Sequence, residues 1–151
     1  MKNVLFVIPI DEEHRKQFEL LPGYTFHFMD KKDVCPEDLN GISIVCGNLD
    51  PELLKQCPSL KWVQLESAGM DRYTDLDPRI RVTNASGAYG EAIAEHMLGC
   101  VLVFQKNLYG YLKQQETREW NNLGAVGCLS SSTVLCVGMG DIGTTFGRKM
   151  H

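Results

Sequence analysis

The sequence predicts an α/β fold: an open parallel sheet with helices on its faces, then a long helix, then the first strand and helix of a second sheet. Three observations carry this expectation. Short apolar, β-branched runs alternate with helix-patterned segments over residues 1–84. Pro, Gly and Asp mark the joints between them. The apolar run 133–137 leads straight into Gly138-Met-Gly-Asp-Ile-Gly143, a Gly-x-Gly-x-x-Gly turn between strand and helix.

Taken in order, residues 3–9 form the first strand. The run is too abruptly followed by Asp11-Glu-Glu13, and too poor in a small-residue cleavage site, to be the core of a signal peptide. Residues 12–21 are amphipathic at helical spacing and stop at Pro22-Gly23. Residues 24–29 alternate, which puts Tyr24, Phe26 and Phe28 on one face and Thr25, His27 and Met29 on the other; His27 is thereby a structural residue. Residues 42–46 make the next strand. Asp50 then caps a helix that has Pro51 at its first position, runs over 52–57 and ends at Pro58. Residues 61–65 and 81–84 complete the set of strands. Parallel strands need crossover connections, which this alternation supplies, and ligands of such sheets bind outside the carboxyl ends of the strands.

That rule singles out the loop Glu66-Ser-Ala-Gly-Met-Asp71. Its small residues leave backbone N–H groups unobstructed, the kind of nest that takes a carboxylate or phosphate oxygen. The plain alternative is a β–α turn in which Asp71 caps the following helix, and one turn can serve as both.

Residues 85–90 form a small-residue bridge, and a long helix begins near Glu91. From 92 to 112 it is apolar on two faces: Ile93, Met97, Val101, Phe104 and Leu108 on one, Ala94, Leu98, Leu102 and Tyr109 on the other. Such a helix is expected to lie between two domains or two subunits. Glu95 and His96 point about 100° apart and do not form a pair, so His96 reads as a helix-positioning or interface residue. Residues 113–122 are polar and 124–132 form a Gly/Ser linker. The domain expectation is therefore 1–90, 91–132 and 133–151.

In the glycine turn, Gly138 ends the strand, Gly140 lets the backbone approach a pyrophosphate, and Gly143 lets the helix pack on its strand, with the phosphates at the helix N-terminus. The run 133–137 reads as a buried strand, although the sequence contains no second strand of its own sheet and only 8 residues follow Gly143. The long helix and the C-terminal tail are accordingly expected to pair with another chain or to be poorly fixed.

A net charge of −4, with 15 basic residues scattered among 19 acidic ones, gives no footprint for nucleic acid or an anionic membrane. Six cysteines show neither a CxxC pair nor zinc-ligand spacing, so they read as reduced intracellular thiols and no metal is expected. The longest later apolar run, 97–104, is far short of the roughly twenty residues that span a bilayer.

Four segments in order, Leu65-Glu-Ser-Ala-Gly-Met-Asp71, Val82-Thr-Asn-Ala-Ser-Gly87, Ile93-Ala-Glu-His96 and Gly138-Met-Gly-Asp-Ile-Gly143, resemble the N-terminal half of the D-isomer-specific 2-hydroxyacid dehydrogenases, of the glyoxylate/hydroxypyruvate reductase or phosphoglycerate-dehydrogenase-like type. The resemblance implies a flavodoxin-like substrate domain followed by the start of a Rossmann domain. It implies hydride transfer between NAD or NADP and a small 2-oxo or 2-hydroxy acid. It places Ala68, Gly69 and Met70 against the substrate carboxylate. Tyr89, Gly138, Gly140, Asp141, Ile142 and Gly143 fall on the cofactor side, the two anion cradles facing one cleft. It implies a cytoplasmic homodimer joined through residues 91–112. The family's arginine, carboxylate and histidine lie beyond a glycine turn, so residues 1–151 are expected to hold no catalytic residue and to be inactive alone. The alternative is a non-catalytic carboxylate-binding or dimerisation module.

Overall fold

Five short strands, β1 (Lys2–Phe6), β2 (Tyr24–Phe28), β3 (Ile42–Cys46), β4 (Trp62–Gln64) and β5 (Arg81–Thr83), pair in parallel in the order β2-β1-β3-β4-β5. The computed structural model describes all residues 1–151, which fall into two compact units, 1–86 and 87–151. The sheet belongs to the first unit. Its strand order turns back between β1 and β3, the kind of reversal beside which open α/β sheets bind ligands.

Alternation along the strands buries both faces. Leu5, Val45 and Val63 point to one side and join Leu39, Leu49, Leu54, Leu60, Leu65, Tyr73 and Leu76 in the main core. Val4, Phe6 and Ile44 point to the other. There Phe18 of α1 (Glu12–Glu19) packs 4.8 Å from Phe6, and Phe6 also stacks on Phe28 at 5.4 Å. Tyr24, Phe26 and Phe28 share this face as the alternation predicts, and His27 is exposed.

The helix starts follow their caps. The Asp11 carboxylate accepts the His14 N–H at 2.9 Å, and that of Asp50 accepts the Glu52 N–H at 3.0 Å ahead of α2 (Pro51–Leu54). After β3 the chain turns on Gly47, at φ +119°; a Cβ there would meet Val7 Cγ2 at 2.7 Å and Ile8 Cγ2 at 2.8 Å. Glycine thus lets the loops after β1 and β3 close on each other at the reversal of strand order.

The second unit holds α3 (Gly90–Gln105), α4 (Leu108–Thr117) and α5 (Asp141–Met150). Helix α5 packs on α3, with Ala94, Thr145 and Phe146 buried between them and the Lys149 ammonium 2.7 Å from Glu91 and 3.1 Å from Glu95. Two expectations are corrected here. The single helix over 91–112 is broken: Lys106 closes α3, and Asn107 takes a left-handed conformation at φ 53° before α4 begins. Asparagine tolerates that region far better than the apolar residues around it, so it ends a helix much as glycine does. The apolar stripes on either side of the break stay largely uncovered, Phe104 being 82% exposed.

Residues 133–137 do not form a buried strand. They join no ladder, and Leu135 and Val137 are 87% and 92% exposed. A strand exists only when a neighbour takes its backbone groups, and no segment of residues 87–151 offers one. The preceding tail lies along the end of α3 instead, the Gly127 N–H donating to the Gln105 carbonyl at 3.1 Å and the Lys106 ammonium to the Gly127 carbonyl at 2.6 Å.

Candidate functional site

The loop that follows β4 is held by its carbonyls. That of Ser67 accepts the Ala85 N–H at 3.0 Å, that of Ala68 accepts the Asn84 side-chain amide at 2.7 Å, and that of Gly69 accepts the Ser67 hydroxyl at 2.9 Å. The loop's entry is fixed as well, the Glu66 N–H donating to the Asn48 side chain at 3.1 Å. The N–H groups of Ala68, Gly69 and Met70 donate to no protein acceptor, and all three residues are exposed. Engaged acceptors and open donors make this turn a candidate anion cradle.

Asp71 does not cap the turn that follows. Met70 holds the cap position of the short 3-10 turn Asp71–Tyr73 without a side-chain hydrogen bond, and Asp71 is its first residue. The turn is anchored from below instead: Tyr73 is buried and its hydroxyl donates to the Leu49 carbonyl at 3.1 Å. Burial pushes the Tyr73 phenol up, and it pushes the Cys46 thiol at the end of β3 up to about 11, so neither is a charged group near the cradle at neutral pH.

The glycine turn of the second unit has the backbone its spacing predicts. Gly138 sits at φ +95°, and a Cβ on Gly143 would collide with the Gly138 carbonyl oxygen. Gly140 caps α5 with nothing within 4 Å of the position a Cβ would take, so its backbone is open to a ligand's approach. The Gly140 carbonyl accepts the Thr144 N–H at 2.9 Å, which leaves Asp141, Ile142 and Gly143 in the first turn with N–H groups that have no intrahelical acceptor. The Asp141 carboxylate lies against Gly90, where a Cβ would meet its oxygen at 2.6 Å. Pyrophosphate chemistry suits this turn: the residues present leave room and donors where the phosphates belong.

Tyr89 stands at the cap position of α3 and is 44% exposed. His96 lies on the exposed side of α3 with Nε2 3.6 Å from Cys100 Sγ one turn on, a local contact in keeping with a structural residue. Sequence reasoning singled out the loop 66–71 and the glycine turn, but not the side chains of Asn48 and Asn84 that bond to that loop. A polar Asn84 directly after a strand was the available signal. No helix is long and apolar enough to cross a membrane, and the six cysteines are free.

The architecture is an open five-stranded α/β unit whose β4 loop is a candidate anion cradle, followed by a helical unit that carries a glycine turn ahead of its last helix. No protein-family model matches the sequence, and no curated protein matches it. Solved structures match nearly all of it. A D-isomer specific 2-hydroxyacid dehydrogenase family protein from Aeromonas salmonicida superposes with a TM-score of 0.85 at 22% identity, over 99% of this chain and 50% of that one. D-lactate dehydrogenase from Aquifex aeolicus, solved with NAD and lactic acid, gives 0.77 at 21%, over 99% and 48%. The apo D-lactate dehydrogenase of Escherichia coli gives 0.63 at 22%, over 99% and 52%. The chain therefore carries the fold of about half of a D-isomer-specific 2-hydroxyacid dehydrogenase, and it spans about half the length of these structures.

Proposed function

We propose that residues 1–151 are the acid-binding portion, and the opening of the nucleotide-binding portion, of an NAD- or NADP-dependent oxidoreductase that interconverts small 2-oxo and D-2-hydroxy acids. The observation that carries this reading is the cradle: the Asn84 amide, the Ala85 N–H and the Ser67 hydroxyl engage its carbonyls, while the N–H groups of Ala68, Gly69 and Met70 stay open for a carboxylate. Gly138, Gly140, Asp141, Ile142 and Gly143 receive the cofactor pyrophosphate, and Tyr89 stands on the cofactor side. The bound nicotinamide supplies or accepts hydride at C2 of the acid. This chain's residues hold the acid by its carboxylate, and none of them is assigned the proton transfer. The exposed apolar residues Phe104, Leu108, Tyr109 and Leu112 mark the segment through which two copies join, and the free cysteines suit the reducing cytoplasm.

Titration calorimetry of the chain with pyruvate, glyoxylate and NADH tests the reading. Acid binding that Asn84→Ala weakens about tenfold, the loss expected when a buried or ordering hydrogen bond is removed, supports the cradle. Acid binding indifferent to Asn84→Ala, or none, overturns it. Acid binding without NADH binding favours the alternative, a carboxylate-binding module.

A further inference from the structure

Helix α3 carries an imidazole and a thiol one turn apart, with His96 Nε2 3.6 Å from Cys100 Sγ and both residues exposed. At roughly 100° per residue the pair falls on the side of α3 away from Glu91, Ala94 and Glu95, which face α5. Neither side chain bonds to anything but the other. The lysines of residues 87–151 are all engaged elsewhere: Lys149 by Glu91 and Glu95, Lys113 by Glu116, and Lys106 by the Gly127 carbonyl at 2.6 Å. None is left as a free cation beside the pair.

A thiolate sulfur and a neutral imidazole nitrogen are donors that zinc takes in preference to oxygen. Zinc holds the sulfur at about 2.3 Å and the nitrogen at about 2.0–2.1 Å with tetrahedral angles, which sets the two donors about 3.5 Å apart. The 3.6 Å seen here meets that bite with the helix left as it is, because an i, i+4 step keeps both side chains on one row of the 16-residue α3. We infer that His96 and Cys100 form a two-pronged site for a zinc-class divalent cation, the imidazole giving Nε2 and the thiol giving its sulfur as thiolate. The thiol proton goes to solvent, so one proton leaves for each cation that arrives at the neutral imidazole. No third His, Cys, Asp or Glu joins the pair, so water fills the remaining positions and the bound cation stays open to an outside donor. A single His-x-x-x-Cys step is neither a CxxC pair nor a zinc-finger spacing, which is why the sequence alone does not point to it. The site stands or falls independently of the acid cradle.

Titration of the full, reduced chain with cobalt(II), which takes zinc's place and gains a near-ultraviolet absorption band when bound by thiolate, tests the site. One cobalt per chain is expected, with a band that added zinc bleaches. Cys100→Ser is expected to abolish the band. His96→Gln is expected to weaken cobalt binding at least about tenfold, since a lost ligand counts for no less than the outer partners whose removal costs about 10–100-fold. Both side chains are exposed and belong to no core, so both variants keep the fold, which circular dichroism checks. Cys128→Ser, at the other exposed thiol of residues 87–151, is expected to change nothing. Bridging one turn should also slow amide exchange along α3 when zinc is added, an effect that a cation held by a single thiol would not produce. No band, a band that survives Cys100→Ser, binding that His96→Gln leaves unchanged, or α3 exchange indifferent to zinc overturns the assignment.

Discussion

Residues 1–86 and 87–151 are of comparable length and differ in how much they bury. Every hydrophobic residue buried in the chain except Ala94 and Phe146 lies in the first unit, where Leu5, Leu39, Leu49, Leu54, Leu65, Val45 and Val63 are almost wholly out of water. The second unit leaves Phe104 and Trp120 at 82% and 100% exposure, together with Leu135 and Val137. Local pattern does not separate them, since both contain apolar runs and well-formed helices. A parallel sheet becomes self-sufficient once helices and loops cover both its faces; helices whose stripes meet only one neighbour stay marginal however good their propensity. The first unit can therefore hold a preorganised cradle on its own, while the glycine turn of the second rests on a thin support.

The largest test of that contrast compares truncations in the two units. Leu54→Ala opens a hole in the main core and is expected to cost about 2–5 kcal/mol, whereas Trp120→Ala is expected to stay within about 0.5 kcal/mol. Each unit has one tryptophan, Trp62 and Trp120, so urea melts of the Trp62→Phe and Trp120→Phe backgrounds report the units separately. A second-unit melt as steep and as sensitive as the first would break the comparison.

A smaller effect is expected at Gly143. A methyl group there runs into the Gly138 carbonyl, so Gly143→Ala must push α5 off the turn at a cost of about 1–3 kcal/mol, the usual range for overpacking. Amide exchange along α5 should speed up in the variant while the sheet amides keep their protection. Unchanged exchange in α5 would mean that the turn is looser than its geometry.

Much of the first unit was legible in the sequence because its signals are local. Period-two alternation placed Phe26 and Phe28 on the face they occupy, and Asp50-Pro51 announced a helix start that the structure keeps. The cradle was half legible. Gly69 and its small neighbours could be read from the loop itself, but the bonds that fix it come from Asn48 and Asn84, 18 and 16 positions away, and local pattern carries no such pairing. The second unit misled for the same reason. The run 133–137 has a strand's composition and lacks the neighbour that makes one, while Asn107 breaks a helix within a stripe whose spacing runs on unperturbed.

Asn84→Ala sharpens the comparison within the first unit. Loss of the bond to the Ala68 carbonyl is expected to cost about 1 kcal/mol and to raise exchange at Ala85, whose N–H donates to the Ser67 carbonyl of the same loop, while the sheet amides keep their protection. Destabilisation spread over the whole sheet would make Asn84 a general core residue and not a pin of the cradle.

The smallest effect concerns the ion triad between α5 and α3. Hydrogen bonding to the Lys149 ammonium holds the Glu91 carboxyl below its usual 4.5, and the two carboxylates hold Lys149 above its usual 10.5. A depressed acid contributes fully above its unfolded value and loses that contribution as pH falls through the folded one. A raised amine contributes fully below its unfolded value and loses it as pH rises through the folded one. The clamp is therefore complete at neutral pH and is released at either extreme, and at this degree of exposure salt should weaken it. Carboxyl-carbon NMR is expected to place the Glu91 midpoint below 4.5 in the wild type and return it to the ordinary range in Lys149→Gln. Because the buried residues of α3 and α5 are only Gly90, Ala94, Thr145 and Phe146, release of the triad at low pH should also speed exchange in α5. A Glu91 midpoint already at its ordinary value would remove electrostatics from the support of the glycine turn and leave it to the packing of Ala94, Thr145 and Phe146.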